Sequence, residues 1–167
     1  MPWIKHLVGC PLFDGLNEAD ISVFRSATHQ LHFDTDTTIM TEGETGEDIL
    51  ILIDGKVTIS KALTLLAEDE NSTTDKTFIT LDADYKPFFG EMGLVMEDSR
   101  RTASVKAKTP CEIVVLQKDK FWEVCKEHPQ IGFQVMANIS RKLAKNLQRE
   151  SQNVLKLTTA FSLVLED

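Results

Sequence analysis

Phe88-Phe89-Gly90-Glu91-Met92-Gly93-Leu94-Val95-Met96-Glu97-Asp98-Ser99-Arg100-Arg101-Thr102-Ala103-Ser104-Val105-Lys106-Ala107 is the most informative stretch of this chain. Gly90 and Gly93 let the backbone approach a neighbour closely or take angles closed to other residues. Glu91 stands between them among apolar Phe88, Phe89, Met92, Leu94 and Val95. Its carboxylate is therefore expected to be partly buried, and a buried charge needs a partner. Arg101 opens a second apolar segment through Ala103 and Val105, and strand alternation would aim it into a protected site with Arg100 on the opposite face. A short helical turn between the two halves would direct backbone N–H groups at one point. A guanidinium fork, a set of N–H donors and a carboxylate acceptor fit a phosphate beside a hydroxyl-bearing sugar. The residues by themselves leave a second reading equally open, in which Glu91 and Arg101 form a structural ion pair at a barrel corner.

On the N-terminal side, short β-branched or apolar segments alternate with turn residues. Leu31–Phe33, Thr37–Met40, Ile49–Ile53, Lys56–Leu65, Thr77–Leu81, Thr102–Lys106 and Glu112–Leu116 are predicted strands. Asp54-Gly55 between two of them is a two-residue hairpin signal. Glu68 to Lys76 is polar and acidic and is expected to be an exposed loop. Ahead of the strands, Asn17 with Asp20 echoes a capping box and predicts a short helix over Glu18–Ala27. Beyond Lys118 the apolar period lengthens toward 3.6. Phe121, Val124 and Cys125 predict one short helix, and Pro129 opens a longer one. Phe133, Met136, Ile139, Leu143, Leu147, Val154 and Leu157 form its apolar stripe, with Arg141, Lys142, Lys145 and Arg149 off it on a face expected to be solvated. Many short strands followed by helices imply an α+β chain built on a barrel or sandwich.

The 167 residues suit one domain with a sizeable core. A net charge of -8 argues against a nucleic-acid surface, which needs clustered Lys and Arg, but leaves room for one small anion held locally. Three cysteines, Cys10, Cys111 and Cys125, with no paired spacing read as free thiols in a reducing, cytoplasmic setting. No apolar run approaches the roughly 20 residues of a membrane span. His6, His29, His32 and His128 are scattered, so no metal site is expected, and no Ser–His or Cys–His set suggests a nucleophile.

The Phe88–Ala107 stretch resembles the phosphate-binding cassette of the cyclic-nucleotide-binding family, whose pattern is F-G-E-x-[AG]-L followed by R-[ATS]-A-x-V. Phe89, Gly90, Glu91, Gly93 and Leu94 fill the first half, and Arg101, Thr102, Ala103 and Val105 the second. The nine residues between Glu91 and Arg101 resemble the spacing in bacterial catabolite activators, and Arg100 to Val105 is similar to the matching run in hyperpolarisation-activated channels. Pro11-Leu12-Phe13 with Gly15-Leu16, Glu42-Gly43-Glu44, Asp48 to Ile53, Gly55-Lys56-Val57 and Cys111 to Leu143 extend the resemblance over most of Pro11 to Gln148.

The resemblance implies a β-roll, a double-stranded jelly-roll-like barrel, with a short N-terminal helix and C-terminal helices. It divides the chain into a roll over 1–128 and a long lid or dimerisation helix with its tail over 129–167. It implies a ligand site of Phe89, Gly90, Glu91, Met92, Gly93, Arg101, Thr102, Ala103 and Asn146. Glu91 would accept the ribose 2′-hydroxyl, Arg101 would pair with the cyclic phosphate, and backbone N–H groups near Gly90 and Ala103 would add donors. Thr102 would reach the phosphate or base, and Asn146 would either reach the base edge or be only a polar break in the apolar stripe. The ligand would be cAMP, or alternatively cGMP, with no cofactor and no covalent chemistry. The hinge would lie between Lys118 and Pro129. The long helix would form a homodimer, since Leu147, Val154, Leu157 and Phe161 lie beyond reach of the barrel. About 20 residues follow Gln148, too few for the DNA-reading domain of the activators. The sequence therefore leads to the expectation of no DNA partner for this chain by itself and no membrane. It leaves open a stand-alone sensor with a separate effector, a piece of a longer channel, kinase or transcription regulator, and an interaction barrel with no such ligand.

Overall fold

Ile49-Leu50-Ile51-Leu52 carries no polar residue because the strand it forms is covered on both faces. Alternate side chains of a strand point to opposite sides. Ile49 and Ile51 join a core shared with the helices, while Leu50 and Leu52 join a second core between two sheets. The computed structural model describes residues 3–62 and 76–165. Its eight strands are β1 (Thr28–Phe33), β2 (Thr38–Met40), β3 (Ile49–Asp54), β4 (Lys56–Ala62), β5 (Lys76–Asp82), β6 (Phe88–Phe89), β7 (Ser104–Ala107) and β8 (Cys111–Leu116). They form two antiparallel four-stranded sheets, in the orders β1-β8-β3-β6 and β2-β7-β4-β5.

The helices are α1 (Ile4–Leu7), α2 (Glu18–Ser22), α3 (Glu91–Val95), α4 (Lys118–Glu127) and α5 (Pro129–Leu165). The β1-β8-β3-β6 sheet lies between the helical layer and the other sheet. In β8, Val114 and Leu116 face the helices and Ile113 and Val115 face the opposite sheet. The β2-β7-β4-β5 sheet has one wet face, so β7 alternates: Val105 and Ala107 point inward, and Lys106 points out to an ion pair with Asp36 at 3.0 Å. Phe13, Phe24, Phe121 and Trp122 form a continuous aromatic row in the helical layer, with ring centroids 5.1–5.8 Å apart. The β-roll with flanking helices is the fold class the sequence implies.

Each of the seven predicted strands has a counterpart, and the two-residue β6 is an eighth. The largest shifts of boundary are at β1, which begins at Thr28, and β7, which begins at Ser104. Residues 63–65 of the expected fourth strand, and all of the expected acidic loop except Lys76, which opens β5, lie outside the described residues. The helix expected over Glu18–Ala27 is α2 followed by a 3-10 turn over Val23–Ala27. Its capping box is present, with Asp20 N donating to Asn17 Oδ1 at 3.0 Å and Asn17 N to Asp20 Oδ2 at 3.2 Å.

The Asp54-Gly55 hairpin is a correction. β3 and β4 lie in different sheets, and the turn carries the chain from one to the other. A two-residue hairpin of that kind needs positive φ at both turn residues. Gly55 has φ 87°, whereas Asp54 is not among the positive-φ residues. Glycine is required at this crossing for a second reason. A Cβ there would lie 2.2 Å from the Pro110 carbonyl oxygen and 2.9 Å from Cys111 Sγ.

The first half of α5 belongs to the helical core, with Val135 and Ile139 buried and Met136 and Leu143 packed against it. Asn138, itself buried, donates through Nδ2 to the carbonyls of Leu12 at 3.0 Å and Asp14 at 2.9 Å. Every described residue from Ala144 to Phe161 is exposed.

Substituting Gly55 tests the crossing. Gly55→Ala places an L-residue in left-handed geometry at about 1–2 kcal/mol, in addition to the contact with Pro110. We expect a loss of at least about 1 kcal/mol in urea titration. An unchanged midpoint would contradict the assignment of this turn.

Candidate functional site

The two halves of the quoted stretch meet at one cavity. Gly90, with φ 85°, ends β6 and caps α3, which turns Glu91 inward. Glu91 is buried at 6% exposure. Arg101 precedes β7 and is fixed through its backbone: its N–H donates to Glu44 O and its carbonyl accepts from Gly43 N, each at 2.8 Å. Its side chain crosses beneath Gly90, and Nη1 donates to Asp48 O at 3.0 Å and to Gly90 O at 3.4 Å. A Cβ on Gly46 would lie 2.1 Å from Arg101 Nε, so this turn passes directly over the guanidinium.

Arg101 is half-buried, and burial lowers its pKa from the usual arginine value, opposed by the charge of Asp48. Its hydrogen-bond acceptors among the described residues are two backbone carbonyls. A guanidinium has five N–H donors, so this arrangement leaves donor capacity for an anion. Glu91, in contrast, has a cationic partner. Lys142 of α5 reaches Glu91 Oε2 with Nζ at 3.1 Å, donates to the Phe88 carbonyl, and lies 3.9 Å from the centroid of the Phe88 ring. Burial lowers the Lys142 pKa from its ordinary value, and the Glu91 charge and hydrogen bond oppose that fall.

Of the expected site residues, Gly90, Glu91, Met92, Gly93, Arg101, Thr102 and Asn146 line the cavity together. Phe89 packs instead in the inter-sheet core with Leu50 and Val105. Ala103 lies between Thr102 and β7 and is not part of the lining. Asn146 reaches the cavity from α5, more than forty positions along the chain from Arg101. Arg100 also touches the rim, but its side chain is 71% exposed and faces Asp98 at 3.6 Å.

Two residues were missed. Met40 at the end of β2 lines the cavity. Lys142 corrects the expectation of a solvated basic face, because its side chain is 28% exposed and paired with Glu91. The ion pair that composition offered between Glu91 and Arg101 is thus made by Lys142. The signal for it was one carboxylate in an apolar segment without a local cation. The thiols of Cys10 and Cys125 are pushed up to about 11 by burial and stay protonated at neutral pH. Among the described residues no cluster of three or more His, Cys, Asp or Glu could hold a metal ion.

The family model for the cyclic nucleotide-binding domain matches residues 30–128. The chain is 33% identical over 134 residues to the cAMP-activated global transcriptional regulator CRP of Pasteurella multocida, covering 80% of this chain and 58% of that protein. Its counterpart in Haemophilus influenzae is 29% identical over 82% of this chain and 57% of the relative. The catabolite activator protein of Thermus thermophilus superposes with TM-score 0.74 at 21% identity, covering 89% of this chain and 63% of that one. The chain thus spans a little over half the length of the curated relatives it matches.

These relatives overturn the expectation of no DNA partner, for they are transcriptional regulators. The physical reason lies in the charge argument. A net charge of -8 is a sum over this chain, and it does not set the local charge of regulators of which the chain spans just over half.

A double-substitution cycle tests the Glu91–Lys142 pair. Removing one partner leaves a charge with poor access to water. Glu91→Gln and Lys142→Met are each expected to cost about 1–3 kcal/mol, and the double variant less than their sum. Additive costs in denaturant titration would show that the pair contributes nothing.

Proposed function

The chain belongs to the family of cyclic nucleotide-binding domains, and from that premise we propose that it is the sensing module of a regulatory protein. Its ligand is a cyclic nucleotide, cAMP in preference to cGMP, and it acts by differential affinity without covalent chemistry. The observation that carries this reading is Arg101. A half-buried guanidinium held by two carbonyls, with Gly90 and Gly46 making room for it, is suited to one small anion.

The cyclic phosphate takes Arg101, with the backbone donors around Gly90 and Ala103. The ribose 2′-hydroxyl donates to Glu91. A carboxylate has about four lone-pair sites, so Glu91 serves Lys142 and the hydroxyl together. Thr102 and Asn146 stand on the cavity wall for the phosphate and the base. The preference for cAMP is supported by the relatives, which are named as cAMP-activated. Three free thiols fit a cytoplasmic setting, and no described helix is long and apolar enough to cross a membrane.

The outer half of α5 supports a second part of the reading, a homodimer. Phe133, Leu147, Val154 and Phe161 are 60–75% exposed and are separated by multiples of seven residues, so they share one face. Ala137, Ser140, Ala144 and Ser151 between them are small enough for a second helix to approach.

Calorimetric titration with cAMP tests the site. Arg101→Ala is expected to weaken binding at least tenfold, from the loss of a charge-assisted bond worth about 1.5–3 kcal/mol. Arg101→Lys should weaken it nearly as much, because an ammonium lacks the planar fork. Arg100→Ala costing more than Arg101→Ala would contradict the reading, as would a cGMP affinity more than about tenfold above that of cAMP. Light scattering tests the dimer. At tens of micromolar (about the level at which such an interface should be filled) the chain is expected at twice its monomer mass, and Leu147→Asp should halve it. A wild-type monomer would exclude this arrangement.

A further inference from the structure

The outer half of α5 changes character within one heptad. Leu147, Ser151 and Val154 lie on the seam proposed above for the homodimer, and Gln148 and Glu150 flank it on either side. Seven residues further on, the same two flanking positions hold Leu155 and Leu157, which are 67% and 68% exposed. Two helices packed through a narrow seam leave the flanking positions at the edge of the water, where polar and charged groups belong. A stripe broadened by apolar flanks is the pattern of a helix packed inside a larger bundle. From Val154 to Phe161 the apolar side chains span about 160° of the helix circumference.

The polar groups on this broad face make no demand on water. Thr158 lies on it and donates its hydroxyl to the Val154 carbonyl at 2.9 Å, and Thr159 at its margin donates to the Leu155 carbonyl at 2.9 Å. Charge bounds the face at the end nearer the roll, where Arg141, Lys145 and Arg149 follow one another four residues apart. From Ser151 to Phe161 the one charged residue is Lys156, on the opposite side of the helix from the apolar face.

We propose that the outer turns of α5 form a second interface, at which two homodimers meet end to end and their tails make a four-helix bundle. The proposal rests on the homodimer and adds to it. Its occupant is a second pair of the same helices. The face is continuous with the dimer seam, it carries no charge for an acidic or basic partner to read, and an identical pair brings the same apolar flanks to it. If the overlap ran past Glu150 toward the roll, it would bring basic turns against apolar ones, so the pairs meet antiparallel and only over their outer turns. The seam through Leu147 and Val154 holds each pair, and Leu155 and Leu157 hold the pairs together by burial of apolar surface.

Light scattering over a concentration series separates the two interfaces. The wild-type chain is expected at twice its monomer mass at about tens of micromolar, rising to four times toward about 1 mM. Leu155→Gln combined with Leu157→Glu recreates the flanks found one heptad earlier and should hold the mass at twice the monomer value at every concentration. Gln and Glu are strong helix formers, so this variant keeps its helix. Lys156→Gln, on the opposite side, should leave the rise in place. A wild-type chain that stays at twice its monomer mass up to about 1 mM would overturn the proposal and leave the dimer standing, whereas a chain monomeric throughout would end both. A double variant that still reaches four times the mass would overturn it as well. So would a dimeric wild-type chain that co-sediments with phosphatidylcholine vesicles, because the face would then belong to lipid.

Discussion

A guanidinium half withdrawn from water is costly unless its N–H groups are satisfied, and in this chain backbone carbonyls begin that task without completing it. The rest of the site follows from this. The turn through Gly43 and Glu44 holds the backbone of Arg101 at both its N–H and its carbonyl. Gly46 and Gly90 leave the space the side chain crosses. The two sheets supply rigidity: β3 is buried on both faces and delivers Asp48 at its start, while β7 carries the chain away from Arg101 into the inter-sheet core. A preorganised donor set on rigid elements keeps its geometry before an anion arrives.

The second anchor of the site ties it to the helices. Glu91 comes from the roll and Lys142 from α5, so the carboxylate proposed to read the sugar also holds the long helix to the cassette. One turn earlier on the same face, Asn138 binds the carbonyls of Leu12 and Asp14. Three regions far apart in sequence, the opening segment, the cassette and α5, are therefore joined through two side chains four residues apart. Because α5 is one helix of 37 residues, a change within its first four turns displaces its far end.

Much of this was legible in the sequence because local chemistry decides it. The capping box at Asn17, the proline that opens α5 and the alternation in β7 are short-range patterns, and each marks an element of the structure, although α2 gives way early to a 3-10 turn and β7 starts two residues late. Glu91 and Arg101 were legible for a different reason: charged residues in apolar segments are expensive, so they mark a site. What failed was long-range. Asp54-Gly55 carries the residues of a hairpin, but which sheet each flanking strand joins is set by pairing with β8 and β7. Lys142 was assigned to a wet face by helical period, and a long lysine stem can cross from such a face to a buried carboxylate. Net charge misled on DNA because it is a sum over the chain, whereas a nucleic-acid surface depends on local clusters of Lys and Arg.

The central claim is that Arg101 is the seat of a cyclic phosphate. The most direct measurement is a crystal structure of the chain with cAMP bound. The account predicts the Arg101 guanidinium within about 2.7–2.9 Å of the exocyclic phosphate oxygens and the ribose 2′-hydroxyl on Glu91. A bound nucleotide whose phosphate lies elsewhere, with Arg101 still donating only to the carbonyls of Asp48 and Gly90, would contradict it.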